Sequence, residues 1–185
     1  MNKLSKLLLL LITSLFFLVG CGTQTINQDI KLSNSDNSSK INSYKLIELI
    51  DVNTNSTYKL SDFEDKIVLI ESFAIWCPSC TAQQREFKKL HKLQPQVISI
   101  ALDTDQNEEE SEVLAHAQTN GFDWRYSISP EELTSYFISN YGIGFVSAPS
   151  VPVLLKCPNS EPVSLKRGFK SVDYLIEQIN TCNTK

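Results

Sequence analysis

The chain has 185 residues, a formal net charge of −4, five cysteines, a single methionine and 42% hydrophobic residues. Mild acidity without a basic cluster argues against nucleic-acid binding. The length leaves room for one domain with a real core.

Residues 1–20 read as an export signal. Lys3 and Lys6 supply a positive start, and Leu7 to Val19 form a mostly apolar run. These thirteen residues are too few to cross a hydrocarbon core as a helix, which takes roughly 20. The run closes on Leu18-Val19-Gly20-Cys21, which resembles a lipoprotein box with cleavage before Cys21 and lipid on its sulfur. Several acyl chains hold a protein stably at a membrane surface. The alternative is an uncleaved anchor in which Cys21 is merely a small residue. Cleavage removes two lysines and no acids, so the net charge moves from −4 to −6. Residues 21–43, rich in Asn, Ser, Asp, Gln and Lys, read as a flexible tether, with too few apolar residues to offset the entropy of ordering.

Residues 44–185 are expected to fold as one α/β domain. Lys45–Ile50 and Ser56–Leu60, separated by 51–55, read as a hairpin. The β-branched run Ile67 to Phe73 predicts a strand buried on both faces. It leads into Trp76-Cys77-Pro78-Ser79-Cys80, after which Cys80, Gln84, Phe87, Leu90 and Leu93 fall on one helical face until Gln94-Pro95. Val97–Leu102 predicts a second buried strand, parallel to the first across the helix. The acidic run Glu108–Glu110 opens a helix that stops at Asn120-Gly121. Phe122–Ile128 reads as a strand, with Trp124 as core or facing a groove; 130–141 reads as a helix. An apolar strand is expected after Pro149, a strand over Val163–Arg167 after a turn, and a closing helix through Val172, Leu175, Ile176 and Ile179.

Two thiols thus stand at the first turn of a helix fed by a core strand. Unpaired N–H groups and the helix dipole stabilise a thiolate there, and Pro78 suits the first helical position. The segment Phe73-Ala74-Ile75-Trp76-Cys77-Pro78-Ser79-Cys80 resembles the active-site signature of the thioredoxin superfamily. The entry Tyr58 to Leu69 is similar to the extracytoplasmic branch of TlpA, ResA and DsbE/CcmG-like proteins. The resemblance covers nearly the whole domain. It implies a thioredoxin-like fold with a central mixed sheet flanked by helices, an N-terminal hairpin and a TlpA-type central insertion over 122–141. It also implies a membrane-anchored thiol–disulfide oxidoreductase without a cofactor, acting on exported proteins, in processes that include cytochrome c maturation, and drawing electrons from a membrane thiol protein.

Carried over residue by residue, the resemblance makes Cys77 the attacking thiol and Cys80 the resolving one. Trp76 and Pro78 flank the thiols, and Ala148-Pro149 matches the cis-proline segment that faces them and receives substrate. Pro152 competes with Pro149 for that place, and the alternative for Pro149 is an ordinary trans turn residue. Glu71, a carboxyl inside an apolar strand, matches the buried acid of thioredoxin, which takes the proton of the resolving cysteine. The alternative is an acid reaching solvent at the strand end. Many close relatives carry a glutamate three residues after the second cysteine; here Gln83 stands there and cannot titrate.

Cys157 and Cys182 form an even remainder, pointing to a structural disulfide, with a four-cysteine zinc site as the competing idea. A thioredoxin-like metallochaperone is the rival from another function class. It is disfavoured because the mature chain lacks methionine and offers only His91 and His116, read as surface residues of helices. No metal is expected. A peroxiredoxin-type peroxidase lacks its threonine here, and a purely binding domain leaves the intact motif unexplained.

Overall fold

The structure, a computed structural model, describes residues 43–184. The expected signal segment, Cys21 and the tether up to residue 42 lie outside the described residues. A turn at Tyr44–Leu46 precedes β1 (Leu49–Asp51), which pairs antiparallel with β2 (Ser56–Tyr58). All six residues of β3 (Val68–Phe73) are buried, as a run apolar on both faces demands. Helix α1 (Pro78–Leu93) carries the chain to β4 (Ile98–Asp103), which lies parallel to β3. Helix α2 (Glu110–Asn120) ends at Gly121, whose φ of 63° is the left-handed conformation that stops a helix without a side-chain penalty.

β5 (Arg125–Ile128) adds parallel to β4, followed by α3 (Glu131–Tyr141). β6 (Val153–Lys156) returns antiparallel to β3, and the two-residue β7 (Val163–Ser164) closes that side before α4 (Val172–Asn180). The sheet order is β5-β4-β3-β6-β7.

Strand alternation sends neighbouring β3 residues to opposite layers. Leu69 and Phe73 pack with Cys77, Cys80, Phe87, Leu90, Leu175 and Ile179 beneath α1 and α4. Val68 and Ile70 pack on the other face with Leu133, Phe137 and Phe145 around α3. Glu71 is in phase with the first set, so its carboxyl points under the active-site helix. Trp124 belongs to the same layer, as core. Leu93 is the exception on the predicted apolar face of α1: it is the helix's last residue and is exposed.

The segment after α3 corrects one expectation. No peptide bond among the described residues is cis, including the one before Pro149. Ala148–Ser150 forms a tight turn closed by Val151 N–H donating to the Ala148 carbonyl at 2.8 Å. Pro149 therefore occupies the second position of the turn, where a trans proline presets φ; a cis proline belongs one position later. The strand begins only after Pro152, whose carbonyl accepts from Ser72 N–H at 3.3 Å. Proline lacks the ladder N–H, so the strand starts beyond it. Pro152, rather than Pro149, abuts β3.

Cys157, just past β6, is bonded to Cys182, just past α4, with Cα atoms 5.3 Å apart and a sequence separation of 25. Closing such a loop stabilises by about 3 kcal/mol in the chain-entropy account. The double substitution Cys157→Ser/Cys182→Ser should therefore lower the denaturation midpoint by an equivalent amount. An unchanged midpoint would show that the bridge constrains nothing.

Candidate active site

Cys77 caps α1. Its backbone is extended (φ −92°), and its sulfur accepts the Cys80 backbone N–H at 3.2 Å. Pro78 follows as the first helical residue, exposed, where its missing N–H leaves nothing unpaired. Cys77 and Cys80 are bonded, with Cα atoms 5.3 Å apart. Only 1% of Cys77 and none of Cys80 is exposed, so in this oxidised form the expected attacking sulfur is covered. Cys80 Sγ lies 3.2 Å from the carbonyl oxygen of buried Ala148, a contact that becomes a hydrogen bond once the thiol carries its proton. Pro149, next along, is exposed.

The loop before Cys77 is held by acids of the β4–α2 connection. Trp76 is 56% exposed, yet its indole N–H donates to Asp105 at 2.7 Å, which holds that carboxyl below the usual range. Ile75 N–H donates to both carboxylate oxygens of Glu108, at 2.8 and 3.1 Å. Asp103 is buried at the end of β4; one oxygen accepts Asp105 N–H at 2.9 Å and the other has no donor. Burial first, then the adjacent Glu108 carboxyl, push Asp103 up to about 8 against the pull of that N–H. Asp103 therefore keeps its proton more readily than an ordinary carboxyl. Of these acids the sequence marks only Glu108, as part of a helix start.

On the sheet layer that faces α1, Glu71 is fully buried, and among the described residues neither carboxyl oxygen has a hydrogen-bond donor. Burial pushes it up to about 8, while Gln84 and Lys170 pull the other way. Gln84 favours the carboxylate, yet its Nε2 and the Glu71 oxygens form no hydrogen bond. Gln84 Oε1 lies 2.8 Å from His116 Nε2. His116 is thus half-buried and polar-bonded, as is His91, whose Nε2 lies 2.8 Å from Ser99 Oγ; burial lowers both pKa values. The expectation of two surface histidines fails because each ring is drawn to a buried polar partner.

Gln83, in the place where relatives carry a glutamate, grips the backbone of Lys170. Its Nε2 donates to the Lys170 carbonyl at 3.0 Å, and Lys170 N–H donates to its Oε1 at 2.8 Å. Nothing in the sequence marked Lys170, one lysine in a loop. The cysteines lie in two bonded pairs rather than one four-sulfur cluster. Among the described residues no group of three or more His, Cys, Asp or Glu is arranged to hold a metal.

The chain matches the Redoxin family over residues 36–167. It belongs to that family. No curated protein matches it by sequence. Among solved structures, a thiol:disulfide interchange protein of the thioredoxin family from Chlorobium tepidum superposes with a TM-score of 0.63 at 15% identity, covering 74% of this chain and 92% of its own. A secreted Mycobacterium tuberculosis disulfide oxidoreductase homologous to DsbE gives 0.60 at 9% identity, with coverages of 76% and 98%. The exposed lipoprotein thioredoxin of Streptococcus pneumoniae gives 0.55 at 20% identity, with coverages of 73% and 98%. At these identities the likeness establishes the thioredoxin fold. Family membership together with the bonded Cys77–Cys80 pair makes the protein a thiol–disulfide oxidoreductase.

The Glu71 setting has a consequence for stability. Between the ordinary carboxyl value of 4.5 and about 8, the folded protein holds a proton that the unfolded chain has released. Stability therefore falls as pH rises through that window. Lys170, lowered to about 8 from 10.5 by burial, acts in the opposite sense and only above pH 8. Glu71→Gln should match the native protein near pH 4 and exceed it by roughly 2–4 kcal/mol at pH 8. Urea unfolding at the two pH values measures this, and an equal difference at both would mean that Glu71 titrates normally.

Proposed function

We propose that this oxidoreductase works outside the cytoplasm as a lipid-anchored reductant of disulfides in exported proteins, including those of cytochrome c maturation. One observation carries the catalytic part: a Cys-Pro-Ser-Cys pair capping a helix that packs on the sheet layer holding the buried Glu71 carboxyl, which has no hydrogen-bond partner among the described residues. Residues 1–20 act as the signal, Cys21 carries the lipid, 21–43 form the tether and 44–185 the redox domain. The secreted and lipoprotein character of the M. tuberculosis and S. pneumoniae proteins supports that location by analogy.

Catalysis then runs in two exchanges. The Cys77 thiolate, stabilised by the helix N-terminus, attacks one sulfur of a client disulfide and expels the other as a thiolate. Trp76, Pro78, Ala148 and Pro149 border the mixed disulfide. Cys80 gives its proton to the Glu71 carboxylate and attacks Cys77 Sγ, which releases the second client thiolate and leaves the Cys77–Cys80 disulfide. The client gains two electrons and its thiolates take up protons. A membrane thiol protein then reduces the Cys77–Cys80 bond by the same exchange in reverse.

Cys80→Ser should accumulate mixed disulfides through Cys77, visible by mass spectrometry, while Cys77→Ser should lose insulin-disulfide reduction. Trapping through any other cysteine, or retained reduction by Cys77→Ser, would remove Cys77 from the attacking role. Membrane fractionation of the Cys21→Ser variant tests the anchor: release into the soluble fraction is expected, and retention would argue against it.

A further inference from the structure

Lys170 is buried completely, and its ammonium is satisfied by backbone carbonyls alone. Nζ donates to Val151 O and to Gly168 O, each at 2.6 Å, and among the described residues it contacts no carboxylate. An ammonium placed so deep costs heavily, even hydrogen-bonded, unless an opposite charge stands nearby. Its location supplies one. Val151 holds a left-handed backbone (φ 48°, ψ 61°) that a β-branched residue avoids, so its carbonyl is fixed by an unusual turn. Two residues on, Val153 is the register partner of Glu71 across the β3–β6 ladder, on the same layer. On the other side Lys170 is gripped by Gln83, the neighbour of the Gln84 that favours the Glu71 carboxylate. A glutamate at 83 would lack the N–H that Gln83 gives the Lys170 carbonyl; the neutral amide bonds both backbone groups.

We propose that Lys170 is a positioning residue of the redox centre, its buried ammonium the counter-charge that lets Glu71 ionise beneath Cys80, with Gln83 fixing it there. The inference deepens the role given to Glu71 above and rests on it. Glu71 must be a carboxylate to take the Cys80 proton, and burial alone opposes that state. The ammonium opposes burial without bonding the carboxylate, so the proton can still arrive and leave. The influence is mutual: the Lys170 charge favours the Glu71 anion, and Glu71 favours the Lys170 cation. The other ionisable groups around the pair are Tyr126 of β5, His116 of α2 acting through Gln84, and Lys166 ahead of the Gly168 turn, which opposes the Lys170 charge.

Two measurements test this. The first follows the Lys170 side chain by NMR titration in the native protein and in Glu71→Gln, a variant that keeps the shape. Lys170 should lose its proton about one pH unit lower in the variant. An unmoved titration would overturn the coupling, whatever the fate of the proton-relay reading. The second separates the two exchanges by rapid kinetics. Lys170→Met should slow resolution about tenfold at pH 7 and leave the first attack unaffected, with Lys170→Arg restoring the native pH profile. In a Glu71→Gln background, Lys170→Met should have no further effect on resolution. Equal slowing of both exchanges, or the same slowing without Glu71, would reduce Lys170 to scaffold. If Lys170→Met fails to fold, the titration in Glu71→Gln decides alone. A shifted titration with normal resolution in Glu71→Gln would keep the coupling and reject the relay.

Discussion

A carboxyl group in the middle of a strand buried throughout costs several kcal/mol if it stays charged, and β3 carries one, Glu71, in phase with the residues that pack against the disulfide. Glu71 cannot be moved by one residue without turning to the opposite layer of the sheet. Its phase is set by Leu69 and Phe73, which must face α1 to complete the core. The apolar packing of the domain and the placement of its proton-accepting group are therefore a single constraint. Gln84 and Lys170 favour the charged form of that carboxyl without bonding it, which leaves its proton free to exchange.

Above the disulfide a different logic applies. The Ala74–Trp76 loop has no ladder to hold it, and it is fixed by acids borrowed from the start of the next helix. Glu108 takes the Ile75 N–H and Asp105 the indole, while Asp103 anchors Asp105 from the end of β4. A half-exposed tryptophan can then stand rigidly beside the sulfurs, presenting apolar area at little entropic cost on contact with a client. Rigidity of the loop and proton exchange below it are supplied by separate sets of residues.

Much of this was legible in the sequence. The β-branched run, the thiols at the helix start and the acid six residues before the first thiol each follow from local pattern. Strand boundaries near Pro152 were missed because the apolar spacing after Pro149 fitted a strand equally well; only the ladder shows that pairing begins at Val153. The histidines and Lys170 were illegible for a different reason. Their roles depend on partners 8 to 87 residues away, such as Ser99 for His91 and Gln83 for Lys170. Local pattern carries no record of such meetings. Glu108 reads as helix-start chemistry, a role that hid its second one, and nothing local marks Asp103 or Asp105.

The first hairpin gives the sheet its finish. Val52 N–H donates to the Tyr126 carbonyl, Asp51 takes the Tyr126 N–H through its side chain, and Ser127 Oγ–H reaches the Ile50 carbonyl 77 residues back in the chain. These bonds lie along the outer rim of β5, the parallel edge, while the opposite rim is only the two-residue β7. An open parallel edge is a template for strand addition by another chain. The earliest-made piece of the domain is thus its last seal: until residues 125–128 join the sheet, the hairpin has nothing to cover. A nascent chain in which that stretch lags behind keeps an adhesive border exposed.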